Sequence, residues 1–167
     1  ALIDGLLVQP TVVRAKAREL IAGIADDPVF GPVVVVGRGG TAVEVIDDIA
    51  IGLPPLDLRL AHELIDRTRV SRILKAYRDV PAANERALAL LLVQLAQLAA
   101  DIPEVRTLDI NPLLVDADGV LALDARIAVS PPRRLHKGRG HPRFAIFPYP
   151  TQWERSIELS NGGTAFV

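Results

Sequence analysis

The first third of the chain alternates short apolar stretches with polar turns, a pattern typical of β-strands. The run Val33–Val36 is apolar and β-branched throughout, which indicates a central strand buried on both faces. Asp, Pro and Gly residues between positions 26 and 32 predict a tight turn just before this run. The strands predicted in this part of the chain are 6–13, 17–26, 33–36 and 46–53.

Helical periodicity replaces this pattern in the middle of the chain. Two short helices are predicted over 58–67 and 70–77, and a longer one over 81–101, with Pro81 in its first turn. Leucines recur on one face of the longer helix, at positions Leu88, Leu91, Leu92, Leu95 and Leu98. We therefore expect this helix to bury its leucine face against a sheet.

A β-hairpin is predicted over residues 105–128, with Asp118-Gly119 as its turn. Both arms of this hairpin are rich in Leu, Ile and Val. Strands followed by helices and then by further strands predict an α+β fold, in which helices pack on a largely antiparallel sheet.

The hairpin also carries side chains with oxygen donors. Asp109 and Asn111 are two residues apart and project from the same face of the first arm, and Asp124 lies opposite on the second arm. Such donors suit Mg²⁺, which leaves its other positions to water and phosphates. The second interpretation is a hairpin whose polar residues only face solvent. The spacing alone favours that interpretation, because alternating polar residues are the ordinary pattern of a half-buried strand.

The composition of the 167 residues, with 50% hydrophobic and 23% charged residues, is that of a globular domain with one core. The formal net charge of −1 gives no reason to expect nucleic acid or a membrane as a partner. No apolar run approaches the roughly 20 residues of a membrane helix. The absence of cysteine excludes disulfides and thiolate catalysis, and it fits a cytoplasmic protein.

The character of the sequence changes in its last quarter. Residues 130–143 are basic and broken by Pro and Gly, which predicts a linker; a nucleic-acid patch is less favoured because no aromatic residues are interleaved. Residues 144–167 begin a further segment, with a hairpin at 156–167 whose turn is Asn161-Gly162. Because the chain has no methionine and opens on a strand-like stretch, we expect it to be a piece of a larger enzyme.

The segment Asp109–Leu113, followed by Leu123–Arg126, resembles the ATP-grasp domain of NDP-forming acyl-CoA synthetases. This family includes succinyl-CoA synthetase and ADP-forming acetate–CoA ligase. The resemblance extends from about residue 6 to residue 127, and several motifs in one order are more specific than any single motif. The further segments that match the family in its own order are 8–10, 18–23, 26–32 and 37–45.

This resemblance implies that residues 1–129 form the larger subdomain of an ATP-grasp domain, without the smaller subdomain that precedes it in the family. It implies ATP and Mg²⁺ as cofactors, with Mg²⁺ held by Asn111 and Asp124. In the family, the phosphoryl group passes through a histidine on a mobile segment. Asp109 takes the place of the acidic residue that hydrogen-bonds this histidine.

The resemblance also places residues around the nucleotide. The backbone of the segment 9–11 would bind the adenine edge, although Thr11 stands where the family usually has methionine. Glu19 would reach the ribose or a phosphate-side metal, or else be an ordinary charge at a strand edge. The glycine loop, Gly37-Arg38-Gly39-Gly40, would lie beside the phosphates, although such glycines alone more often mark a tight turn. The implied nucleotide-binding residues are Gln9, Pro10, Thr11, Glu19, Gly39, Gly40 and Glu44.

Arg78 is the second catalytic residue that the resemblance implies, besides Asp109. It retains the arginine of the family's Gly-x-Arg-Gly loop, in which Ala76 and Asp79 replace the glycines. Arg78 would contact a phosphate or the phosphohistidine segment. A surface ion pair between Arg78 and Asp79 is equally consistent with the sequence.

The activity implied by the resemblance is ADP-forming acyl-CoA synthesis. Its partners would be the CoA-binding and ligase domains of the same parent protein, and its substrate a short-chain acid or acyl-CoA. The chain alone is expected to be inactive. The alternative is a non-catalytic regulatory module, since the tail 144–167 resembles the join to a GNAT acetyltransferase domain in bacterial protein acetyltransferases. The changed residues Thr11, Ala76 and Asp79 favour this alternative.

Overall fold

The computed structural model describes residues 5, 8–40, 48–131, 156–158 and 164–166. Among the described residues, strands come first, then helices and then further strands, the order expected of an α+β fold. In chain order they are β1 Arg18–Asp27, β2 Gly31–Arg38, β3 Ile49–Gly52, α1 Leu58–Asp66, α2 Ser71–Leu74, α3 Glu85–Asp101, β4 Val105–Asp116, β5 Gly119–Ala122, β6 Ala125–Val129, β7 Ser156–Glu158 and β8 Thr164–Phe166.

A six-stranded sheet organises the domain. Its strand order is β3-β2-β1-β4-β5, and every pair is antiparallel. The strand β6 also pairs with β4, along residues 105–110, whereas β5 pairs with residues 113–116. The predicted fold class, helices on a largely antiparallel sheet, is therefore confirmed.

The helices pack on one face of this sheet and form the core with it. Along β1, Leu20, Ala22 and Ile24 are buried in this core, as the period of two in a strand requires. The predicted leucine face of α3 is confirmed. Its residues Leu88, Leu92 and Leu95 are buried, and Leu91 and Leu98 are partly buried against the same core.

The boundaries of two helices differ from prediction. The long helix begins at Glu85 rather than near Pro81, because the Asn84 side chain caps it by accepting the Ala87 N–H at 3.0 Å. The helix predicted over 70–77 is only the single turn α2. It stops because the backbone at Lys75 is extended, and the Ile73 carbonyl accepts from a side chain instead of continuing the helix.

Two strand predictions also need correction. Residues 8–13 form no strand, although a strand was predicted over 6–13. A turn at 15–16 separates this irregular segment from β1. The strand predicted over 46–53 covers only β3 among the described residues.

The predicted hairpin is present, but its turn lies one residue earlier than expected. Asp116 pairs with Gly119, so Ala117 and Asp118 are the turn residues. The Asp116 Oδ1 atom accepts the N–H groups of Asp118 and Gly119, at 2.9 and 3.2 Å. Gly119 has φ of 136°, a conformation that favours glycine.

The first arm of the hairpin contains a β-bulge at Asn111-Pro112, opposite Ile21 of β1. The peptide bond between these two residues is cis. The bulge changes which residues of β4 enter the core: Leu108 and Ile110 before it, Leu113 and Val115 after it. At the same level, the second arm is interrupted between β5 and β6.

The last part of the chain is described only at β7 and β8, which pair with each other through Glu158 and Thr164. The two arms of the predicted tail hairpin are thus present. Its turn at Asn161-Gly162, most of the predicted linker, and the segment 144–150 lie outside the described residues. In the part of the chain that the structure describes, no helix is long and apolar enough to cross a membrane.

Candidate functional site

The candidate site lies on the open face of the sheet, opposite the helices. Residues directly across from each other on antiparallel strands share a face, so the register shows which side chains meet there. Glu19 is exposed on this face, between core residues Arg18 and Leu20 that point the other way. The described residues place no helix over this side of the sheet.

One row of residues crosses the open face from β2 to β5. The Gly39 N–H donates to the Glu19 carbonyl at 2.9 Å, Glu19 pairs with Leu114, and Leu114 pairs with Leu121. We call these four residues the transverse row. Adjacent strands lie about 4.8 Å apart, so the row spans roughly 14 Å. The glycine loop and the edge strand β5 are thus the two ends of one continuous surface.

The glycine loop packs directly on Glu19. A Cβ atom on Gly39 would lie 2.6 Å from the Leu20 backbone, so only glycine fits there. Gly40 has φ of 90°, and a Cβ atom on it would lie 3.2 Å from Glu19 Oε2. The structure therefore brings Glu19, Gly39 and Gly40 together, while Glu44 lies outside the described residues.

At the other end of the row, a cavity of about 460 Å³ separates the segment before β1 from β5. The segment 9–11, which the sequence assigned to the adenine edge, forms one wall of this cavity. The opposite wall is apolar, with Leu121 half-buried and Leu123 exposed. The full lining is Gln9, Pro10, Thr11, Val12, Leu121, Ala122 and Leu123. An irregular chain segment suits this position, because its backbone groups are not committed to a sheet.

Asn111 and Asp124 lie opposite each other at the level where the first arm of the hairpin has its bulge and the second arm is interrupted. The Asn111 N–H donates to the Asp124 carbonyl at 3.2 Å, and the Leu123 N–H donates to the Pro112 carbonyl at 3.1 Å. We call these four residues the hairpin kink. Paired strands were expected for both candidate metal ligands; Asn111 is in β4, but Asp124 lies in the gap between β5 and β6. Both residues are exposed.

The chemistry of these donors fits Mg²⁺. An amide oxygen and a carboxylate are hard donors, and they are only two. Among the described residues, no three His, Cys, Asp or Glu side chains could hold a metal ion by themselves. Mg²⁺ characteristically takes one or two carboxylates and completes its octahedron with water and substrate phosphates. The kink is thus suited to a cation that arrives with a phosphate ligand.

Asp109 lies two residues before Asn111 and is exposed on the same face, as predicted. Its cross-strand neighbours are Gly23 on β1 and Arg126 on β6. Arg126 also approaches Asp124, with 3.5 Å between Nε and Oδ2. Arg126 closes the segment Leu123–Arg126 that resembles the family, but no role was assigned to it from the sequence. Its position two residues after Asp124, on the arm that pairs with Asp109, is the signal that could have identified it.

The Arg78 loop is built differently from the sequence expectation. Tyr77 and Val80 exchange backbone hydrogen bonds of 3.0 Å, and Arg78 between them has φ of 51°. The Arg78 guanidinium lies over the Tyr77 ring, 5.1 Å from its centroid. Asp79 pairs with Lys16 rather than with Arg78. Among the described residues, no hydrogen bond or ion pair joins Arg78 to the other predicted site residues.

Arg18 holds this loop in place, a role that its sequence neighbourhood did not reveal. Its buried guanidinium donates to the carbonyls of Ile73 at 2.8 Å, Lys75 at 3.1 Å and Pro81 at 2.8 Å. Lys16 adds a 2.7 Å bond to the Asp79 carbonyl. Both ends and the tip of the loop are therefore tied to Lys16 and Arg18 at the start of β1.

Comparison with known proteins gives this surface a context. The family model described as an ATP-grasp domain matches residues 1–129. Acetate–CoA ligase (ADP-forming) I of Archaeoglobus fulgidus is 39% identical over 129 residues, which are 77% of this chain and 18% of that protein. The beta subunit of acetate–CoA ligase (ADP-forming) I of Pyrococcus furiosus is 37% identical over 66% of this chain and 47% of the subunit. The chain thus spans less than half the length of either relative.

A solved structure shares the fold. Dinucleotide-forming acetyl-coenzyme A synthetase 1 of Candidatus Korarchaeum cryptofilum superposes with a TM-score of 0.65 and 29% identity, over 68% of this chain and 53% of that one. That structure contains coenzyme A and Mg-AMPPCP, and its phosphohistidine segment points towards the nucleotide-binding site.

Proposed function

The chain belongs to the ATP-grasp domain family, and from this premise we propose that it is the nucleotide- and Mg²⁺-binding part of an ADP-forming acid–CoA ligase. In this function the γ-phosphoryl group of ATP moves to a histidine of the parent protein and then drives acyl-CoA formation. The relatives that are ADP-forming acetate–CoA ligases support this reaction type. The proposed partners are the CoA-binding and ligase parts of the parent protein, and the proposed acyl substrate is a short-chain acid.

One observation carries the proposal. The glycine loop, the kink and the cavity beside β5 lie on one side of a single sheet, and Leu123 belongs both to the kink and to the lining of the cavity. The base would lie in the cavity between the segment 9–11 and β5. The phosphates would run along the open face towards Gly39, Gly40 and the kink. Residues that merely faced solvent would need no such grouping.

Each group has a distinct task in this arrangement. Backbone N–H and C=O groups of Gln9–Thr11 bind the adenine edge, and Leu121 packs against the base. Gly39 and Gly40 let the backbone approach a phosphate closely. Glu19, next to Gly40, accepts hydrogen bonds from the ribose. Arg78 and Asp109 face the group that receives the phosphoryl, and Asp109 hydrogen-bonds its imidazole.

Asn111 and Asp124 would hold Mg²⁺ through their side-chain oxygens. When bound, the cation would neutralise charge that develops on the phosphate oxygens during transfer. All other contributions come from the chain itself. They consist of orienting the nucleotide along the sheet and holding the acceptor imidazole at Asp109, the kind of positioning on which phosphoryl transfer depends.

We also propose the domain organisation expected from the sequence. Residues 1–129 form the ATP-grasp subdomain, 130–143 a linker, and 144–167 the start of a segment leading to a GNAT domain in a cytoplasmic protein. The family match over 1–129 supports the first boundary. Limited proteolysis of the full-length protein, with cleavage expected within 130–143, tests the linker.

The reaction is tested with the full-length protein, ATP labelled at the γ-phosphate, and MgCl₂. We expect an acid-labile, base-stable protein label, the behaviour of phosphohistidine. Labelling should release ADP. Adding acetate and CoA should then discharge the label as phosphate and form acetyl-CoA. Formation of AMP and pyrophosphate, or ATP binding without any labelling, would contradict the proposed function.

A further inference from the structure

Arg126 is the basic residue that the structure places inside the candidate site, and nothing above gives it a task. It sits on β6 directly across from Asp109, so both side chains share the open face of the sheet. Its Nε atom is 3.5 Å from Asp124 Oδ2. Arg126 is therefore paired through its backbone with the acidic residue assigned to the phosphoryl acceptor, and its guanidinium contacts the carboxylate of the candidate metal site.

The guanidinium is also available for a ligand. The Arg126 side chain is 84% exposed, and among the described residues its only ion-pair partner is Asp124, through a single contact. A neighbouring arginine shows the contrast: Arg106, on β4, is largely buried against Asp26 on β1. An arginine can donate five N–H groups in a planar fork. Most of that capacity at Arg126 is unused within the part of the chain that the structure describes.

The charges of Asp109 and Asp124 indicate why a guanidinium would be needed here. A phosphoryl group passing the kink meets the carboxylates of Asp109 and Asp124, and like charges repel it. A divalent cation held by Asn111 and Asp124 would coordinate only one of these two carboxylates. The Arg126 guanidinium would add a further positive charge, and its fork geometry matches two phosphate oxygens.

We propose that Arg126 binds the phosphoryl group while it moves between the nucleotide and the acceptor imidazole, an inference that rests on the proposed function. In the structure the guanidinium rests against Asp124. With nucleotide bound, it turns from this carboxylate to the phosphate oxygens. Arg126 forms no covalent bond and transfers no proton in this role; it contributes charge and two hydrogen-bond donors.

The test compares Arg126→Gln and Arg126→Lys with the matched control Arg59→Gln in the full-length protein. Arg59 is also an exposed arginine with one carboxylate partner, Glu63, but it lies on α1 away from the site. We expect Arg126→Gln to slow formation of the phosphorylated protein by about 10²-fold, the scale for removing one preorganised charge-stabilising group. Arg126→Lys should recover part of the loss, because it restores the charge but not the fork. Arg59→Gln should match the wild type.

A second readout separates phosphate binding from support of the metal site. Mn²⁺ binding without nucleotide, followed by electron paramagnetic resonance, should be equal or up to about fivefold tighter in Arg126→Gln, because an exposed ion pair with Asp124 is worth at most ~1 kcal/mol. Weaker Mn²⁺ binding, or a phosphorylation rate equal to that of Arg59→Gln, would overturn the inference. A wild-type protein that forms no phosphoprotein would instead refute the proposed function itself.

Discussion

Adjacent residues of β1 face opposite sides of the sheet and meet different surroundings. Leu20 is fully buried under the helices, whereas Glu19 is exposed beside the glycine loop. The same contrast recurs on β4, where Ile110 enters the core and Asp109 and Asn111 remain on the open face. Because successive side chains of a strand point to opposite faces, the same strands serve two purposes. The covered face supplies stability, and the open face carries the polar groups of the site.

Mutations on the two faces should therefore change the free energy of unfolding by different amounts. The largest difference is expected at the start of β1. Leu20→Ala should lower the free energy of unfolding by about 2–5 kcal/mol, since it leaves a cavity in the core. Glu19→Ala, one residue away, should change it by no more than ~0.5 kcal/mol, as is usual for an exposed position. Denaturant unfolding of residues 1–131 measures both values. Equal losses for the two variants would break the comparison between faces.

The next largest effect is expected at the hairpin kink, and it concerns activity. Asp124→Ala should reduce phosphorylation of the full-length protein by at least ~10²-fold. Its stability should be unchanged, because the side chain is 57% exposed. Asp109→Ala should also impair phosphorylation but spare binding of Mg·ATP, measured by calorimetry.

The matched control for Asp124 is Asp118→Ala in the exposed turn of the same hairpin. It should behave as the wild type in both assays. If Asp124→Ala and Asp109→Ala both bind nucleotide and turn over normally, the hairpin carries only solvent-facing polar residues, the interpretation that spacing alone favoured.

A smaller effect is expected at the apolar end of the transverse row. Leu121→Ala should raise the dissociation constant of both ATP and ADP about tenfold, because an apolar contact in a pocket contributes about 1–3 kcal/mol. The rate of phosphoryl transfer at saturating ATP should change little. Leu90→Ala, an exposed leucine on α3, is the control. A loss confined to ATP would place Leu121 at the phosphates rather than at the base.

The smallest effect is expected on the covered side, at the ion pair of Lys75 with Glu85. A 2.7 Å hydrogen bond from Lys75 Nζ and the charge of Glu85 raise the pKa of Lys75 above its ordinary value of 10.5. A raised pKa in the folded state stabilises the protein below pH 10.5, and this contribution is lost as the pH rises through the folded-state value. In Glu85→Gln, an NMR titration should find the pKa of Lys75 back near 10.5. An unchanged pKa would show that Glu85 is not its cause.

Much of the architecture was determined by the sequence alone. The leucine face of α3, the strands β1 and β2, the turn between them and the α+β class all follow from periods of 3.6 and 2 and from turn chemistry. These signals are local, so they need no knowledge of what each segment packs against. The motifs around Asp109, Asn111 and Asp124 likewise identified the family, because their order along the chain is itself a sequence property.

The tertiary structure decided what depends on pairing between distant segments. The bulge at Asn111-Pro112 and the shifted turn place Asp124 opposite Asn111, and the register of β6 brings Arg126 beside Asp109. Arg18 was given no role from the sequence, yet it is buried and donates to carbonyls between residues 73 and 81. Local propensity cannot reveal such partners, since their free energy comes from contacts that exist only once the sheet and its loops have assembled.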